Sequence, residues 1–208
     1  MLYTQYAANK MVDWFLRAQV FSPPATDYFG LIVATRGQSN SIRSAAVALN
    51  DTVLPATPNG RIYKVTTAGT TGAGEPAWPT TNGGTIADGT AVWTEQTTAM
   101  YAGTFTEATY GAYARQGVAA SLANFAGTQS AGSTLASTGT SGQTSNNAAI
   151  AFPAPTSGSG TVFGFFIADA VTAGNILAFG ADTTPIPFSS GGSAPTFAIG
   201  ALVLTPFN

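Results

Sequence analysis

The sequence contains no cysteine and no histidine. Without thiols there is no disulfide framework, no thiolate nucleophile and no zinc–thiolate site. Without imidazole there is no Ser-His-Asp or Cys-His catalysis and no His-ligated metal. Charge is scarce too: Asp, Glu, Lys and Arg make up 8% of the 208 residues and the net charge is −2, whereas ordinary globular domains carry about a quarter. Seven scattered cations do not make the phosphate-neutralising surface that nucleic-acid binding needs. The longest apolar run, VFGFFIA at 162–168, is far too short for a membrane span. Lys10, Asp13 and Arg17 interrupt the apolar character of residues 1–21, and no secretory-signal order is visible there. These absences point to a soluble product made in the cytoplasm, with no cofactor and no metal.

Hydrophobic residues reach 45%, enough for a substantial core. The surface must then be Thr, Ser, Asn and Gly, or be covered in an assembly. Charge is also uneven: all seven Lys and Arg lie at or before Arg115, and beyond it only Asp169 and Asp182 are charged.

Residues 4–20 read as the one helix. Ala8, Val12, Phe15 and Leu16 recur at helical spacing, with Met11, Trp14 and Ala18 widening the apolar face. Thr4 is a suitable N-cap and Ser22-Pro23-Pro24 a stop. Such a helix either packs across a sheet or docks onto another subunit. Residues 28–35 (YFGLIVAT) form a continuous apolar run, the mark of a buried strand. A strand is expected through Val118 and Leu122. The C-terminal part reads as short strands, 148–152, 161–169, 176–180 and 196–205, separated by Gly and Pro turns. The low-complexity stretch 127–147 is expected to be an arm ordered by a partner or an edge strand.

The most distinctive stretch is residues 58–93, which holds Trp78 and Trp93, two of the three tryptophans, with Arg61, Lys64, Glu75 and Asp88. Asn59-Gly60 signals a turn. After it, Ile62 and Lys64 alternate with Tyr63 and Val65. Pro76 and Pro79 stiffen the backbone around Trp78. Asp88-Gly89 is a hairpin pair, and Ala91, Trp93 and Glu95 share one strand face. Tyr63, Trp78 and Trp93 are either an aromatic platform for sugar stacking, with Glu75 and Asp88 taking hydroxyls, or the core of a small module. Glu75 and Asp88 are also the acid–base candidates, because glycan cleavage can run on two carboxylates. A rigid turn explains the first and a hairpin the second, so the chain is read as not an enzyme. Gly69, Gly72 and Gly74 lack the GK[ST] of a phosphate loop.

The order NGR-Y-K, TTAGTTGAGEPAWP, GG and ADGT-V-W resembles a small module that recurs in virion proteins of tailed bacteriophages. The flanks ANKMVDWFLRAQ and SLANFAGTQ…NNAAIAFPAPT are similar to the family usually called phage tail-fibre proteins. The resemblance implies a structural virion protein, a tail-fibre-like surface appendage whose module contacts the host surface. Its implied partners are other virion proteins, further copies of itself and a host surface glycan. A capsid decoration protein bound to the head lattice, and a glycan-binding or glycan-cleaving module, are the alternatives. The expected fold is mainly β: an antiparallel sandwich or barrel of residues 1–40 plus 104–208 with one N-terminal helix. A small three-stranded β module, residues 41–103, is inserted in it.

Overall fold

A computed structural model describes residues 2–205. The chain opens with β1 (Leu2–Tyr3), α1 (Gln5–Arg17) and β2 (Thr26–Ala34). Six strands follow: β3 (Ala46–Val47), β4 (Thr52–Val53), β5 (Tyr63–Thr67), β6 (Gly69–Thr70), β7 (Thr85–Asp88) and β8 (Ala91–Glu95), then the short α2 (Thr97–Tyr101). The last part holds β9 (Gln116–Ala119), β10 (Thr144–Ser145), β11 (Ile150–Ala151), β12 (Ser159–Ala168), β13 (Ile176–Ser189), β14 (Thr196–Phe197) and β15 (Val203–Leu204). The protein is mainly β with antiparallel sheets, as the patterning predicts.

The two longest apolar runs lie side by side. β2 and β12 are neighbouring inner strands of a five-stranded sheet ordered β1-β13-β12-β2-β9. A strand apolar on both faces needs cover on both, and this sheet has it. One face carries Phe29, Leu31, Val33, Phe165 and Ile167, closed by Tyr110, Phe152, Phe197 and Leu204. The other carries Ile32, Phe163, Phe166 and Phe179, closed by Leu54, Ile62 and Met100. These last three come from the segment between β2 and β9, so that segment closes one side of the main sheet.

Within that segment the strands are ordered β4-β5-β8-β7, with β3 and β6 as a separate pair. The expected three strands are therefore four plus a ribbon. The two-residue strands β3, β4 and β6 are too short to show a period in sequence. α2 is likewise an addition to the single helix expected. In the C-terminal part, 196–205 is two strands rather than one, with a turn at Gly200 (φ 73°) between them. β13 joins 176–180 to the Pro185-Ile186-Pro187 stretch in one 14-residue strand. The strand expected through Leu122 ends at Ala119.

The 127–147 stretch holds itself together. Gln129 Nε2 donates to Ser133 Oγ (2.7 Å), Gln129 Oε1 accepts from Thr138 N (3.2 Å), and Ser141 Oγ donates to Thr128 O (2.7 Å). Its end, β10, pairs with β15. Of the two expectations for this stretch, a strand describes the β10 end, and hydrogen bonds between its own residues tie the rest.

α1 begins at Thr4, whose hydroxyl accepts from Ala7 N. It ends at Ala18 in the left-handed conformation (φ 52°), well before the prolines. Only Ala7 of the helix is buried. The chain leading into β9 is fastened by Arg115, whose Nε and Nη2 lie 2.8 Å from the two Glu107 oxygens. Its Nη1 donates to Ala170 O and Ala173 O, and the guanidinium lies 4.8 Å from the Phe166 ring.

Asp27 of β2 is a local conflict. It stands two residues before Phe29, and no hydrogen bond or ion pair reaches its carboxylate among the described residues. Burial pushes its carboxyl up to about 6. The folded value lies above the unfolded one, so folding favours the protonated acid. That stabilisation is full at low pH and is lost as pH rises through about 6. Asp27→Asn is expected to raise Tm by about 2–5 °C at pH 7.5 and to leave it unchanged near pH 4, in thermal scans followed by circular dichroism.

Candidate functional site

The segment between β2 and β9 carries the residues singled out in sequence. Asn59-Gly60 turns the chain, with Gly60 at φ 74°, into β5. The alternation then does what it predicts: Tyr63 and Val65 point inward against Ala91 and Trp93 of β8. Tyr63 and Trp93 are fully buried. Trp78 is partly buried and packs on both, 4.4 Å from the Tyr63 ring and 5.8 Å edge-on from Trp93. Tyr63 Oη donates to Pro79 O (2.8 Å), which ties the proline-stiffened turn to this core.

Stacking on a sugar needs an exposed ring face. Tyr63 and Trp93 have none, and Trp78 alone keeps part of its surface. The three aromatics are brought together as a packed cluster under the β4-β5-β8-β7 sheet.

The carboxylates are equally engaged. Asp88, at the end of β7, accepts from Gly72 N (2.8 Å) and Arg43 Nη1 (3.0 Å) on Oδ1, and from Trp93 Nε1 (3.2 Å) on Oδ2. Arg43 Nη2 lies 3.0 Å from Oδ2 without hydrogen-bond alignment, so this second contact is an ion pair only. Glu75 is exposed, yet its Oε1 accepts from Trp78 Nε1 (2.7 Å), Ala56 N (2.8 Å) and Ser39 Oγ. Partial burial works against its ionisation, but the hydrogen bonds from Ser39, Ala56 and Trp78, with Arg43 nearby, hold its carboxyl below the usual range.

Glu95 was not singled out, and it is the most buried carboxylate of the three. It accepts from Gly83 N (2.8 Å), Thr97 N (3.0 Å) and the Thr97 hydroxyl, and lies 3.0 Å from Arg61 Nη1. Its signal was present: a carboxylate on the same strand face as Ala91 and Trp93 must be buried with partners. All three acids thus act as acceptors for donors of the segment between β2 and β9. Among the described residues no group of three or more acidic side chains is placed to hold a metal ion, and no helix is long and apolar enough to cross a membrane.

A second surface lies outside this segment. α1 touches the body at β1 and β13. Its sequence-marked stripe faces away, with Val12 50%, Phe15 66% and Leu16 81% exposed, and Val20 beyond the helix end 91% exposed. Of the two readings of the helix, packing across a sheet does not describe this stripe.

Against known proteins, residues 80–205 match the family model described as Podophage GP4 fiber I protein gp80. The match begins inside the β3–β8 segment, after Trp78, and runs through β15. It includes Asp88 and Trp93 and leaves out α1, Tyr63 and Glu75. No curated protein matches the chain.

Proposed function

Since the chain belongs to the podophage GP4 fiber I protein gp80 family, a phage fibre family, we propose that it is a non-enzymatic, tail-fibre-like appendage of the virion. It is built from several copies of itself, and the 41–103 module is presented toward the host surface. The observation that carries the assembly part is the bare apolar stripe of α1. At the exposures of Val12, Phe15, Leu16 and Val20, the uncovered surface is on the order of 500 Å², at the upper end for a monomer and approaching the roughly 800 Å² per partner of standard interfaces. The occupant proposed is a second copy of this chain. A net charge of −2 opposes self-association only weakly, and Lys10, Asp13 and Arg17 place both signs beside the stripe. Such a rim can complement itself across a two-fold axis.

The purified protein is expected to be a dimer or larger at micromolar concentration in light scattering. Phe15→Asp with Leu16→Asp is expected to give a folded monomer whose Tm falls only by what association contributed, because the replaced side chains lie outside the core of the single chain. A monomeric wild-type protein overturns the assembly reading. Cryo-electron microscopy of the particle tests position: tail density supports the appendage, whereas density over the head lattice identifies a decoration protein instead.

A further inference from the structure

The strand period that buries Tyr63 and Val65 sends Ile62 and Lys64 the other way, toward the main sheet. Ile62 completes the core between the two layers. Lys64, next along the same face and opposite Thr52 of β4, stops at the rim of a cleft of about 340 Å³. The facing wall is the segment after α2, which runs along β2: Thr106 O accepts from Val33 N (3.0 Å), and Ile32 bridges Glu107. Ile32, Ile62 and Phe105 make the apolar part of the lining. Phe105 is held in place by Phe166, 4.8 Å away.

The polar lining differs from the ion-paired side chains described above. Five of the seven cations, Arg17, Arg36, Arg43, Arg61 and Arg115, are in ion pairs. Lys10 lies over the Tyr6 ring at 5.7 Å. Lys64 has neither kind of partner among the described residues. Around it, the side chains of Asn50, Thr104 and Thr106 make no hydrogen bond among the described residues. Gln96 is buried and lines the same cleft; its Nε2 donates to Thr94 O (2.8 Å), and no donor reaches its Oε1 among the described residues. In a protein that ion-pairs most of its cations, the Lys64 ammonium, the Asn50 amide, the Gln96 amide oxygen and two hydroxyls lie together without partners among the described residues.

We propose that this cleft binds a sugar acid: a hydroxylated ring bearing one carboxylate. The Lys64 ammonium takes the carboxylate, the Asn50 amide, the Gln96 amide oxygen and the Thr104 and Thr106 hydroxyls take ring hydroxyls, and the half-buried Phe105 meets the C–H face. The volume lies near the low end of ligand sites, about 300–1,000 Å³, and suits one ring rather than a chain. A phosphate ester fits less well, since a single ammonium is its only cation and no cluster of Arg or Lys stands by. An apolar ligand would leave the amides and Lys64 desolvated without partners. This inference goes beyond the assembly reading: neither α1 nor the family match enters it.

The test is an amide-resolved NMR titration of the full chain with methyl β-D-glucuronide, with free glucuronate, and with methyl β-D-glucoside as the neutral counterpart. Saturable shifts are expected around Lys64, Gln96 and Thr106 with the acids, and affinity for the glucoside is expected to be at least about tenfold weaker. Lys64→Gln is expected to remove that preference while Lys64→Arg keeps most of it. Should Lys64→Gln disturb the fold, the exposed Asn50→Ala provides the second variant and is expected to weaken both acids severalfold. Binding of the methyl glycoside marks a glycan residue as the source, and binding of glucuronate alone marks the free acid. Equal affinity for glucoside and glucuronide, no saturable shift at the cleft, or an unchanged acid affinity in a folded Lys64→Gln protein overturns the proposal.

Discussion

Gly30→Ala is expected to lower stability by about 3 kcal/mol. A Cβ at Gly30 would lie 2.1 Å from Phe166 Cζ and 2.3 Å from its Cε1. Gly30 and Phe166 are direct partners across β2 and β12, in the middle of the main sheet. The ring has no room to retreat, because it is fully buried between Phe105 and the Arg115 guanidinium. Either the two central strands separate or the ring leaves its place, and both loosen the layer that the β3–β8 segment covers. Urea unfolding measures the loss. The origin is checked by a double-mutant cycle with Phe166→Leu, expected to return at least about 1 kcal/mol of coupling. An additive cycle would mean that Gly30 is needed for some other reason than the ring.

Asp88→Asn is expected to cost about 3–5 kcal/mol, felt first in the β3–β8 segment. The change removes the negative charge facing Arg43, whose side chain is mostly buried, and leaves a guanidinium without compensation. It also places an amide NH₂ where a carboxylate accepts from Trp93 Nε1 or from Gly72 N and Arg43. Trp93 fluorescence is the natural probe, and its unfolding midpoint is expected to move to lower urea concentration. Glu75→Gln is expected to cost far less, since Glu75 is exposed and its amide oxygen can still accept. The contrast bears on any glycan-cleaving reading of these two acids. Loss of a function in Asp88→Asn that tracks loss of the fold says nothing about catalysis.

Much of this arrangement was legible in sequence because it rests on local periodicity. The runs around Leu31 and Phe166 announced strands buried on both faces. The alternation of Ile62–Val65 and of Ala91–Glu95 announced which side chains meet, and Thr4 announced where α1 begins. The short strands β3, β4 and β6 carried too few residues for any period, and the 127–147 stretch hid a loop held by its own Gln and Ser side chains.

The sequence by itself excluded thiol and imidazole chemistry and carried the β character and the apolar stripe on α1, since each depends on residue type and spacing alone. Tertiary structure decided the roles. Arg43 meets Asp88 across 45 residues, so a carboxylate that sequence offers as a ligand-binding group becomes a staple. Packing of the β3–β8 segment on the main sheet turned the Ile62–Lys64 face of β5 into a cleft wall and left Lys64 without a partner among the described residues. The first turns of α1 suffice to seat it on β1 and β13, which leaves its stripe to solvent. Periodicity says which residues share a face, but what that face meets depends on segments distant in the chain.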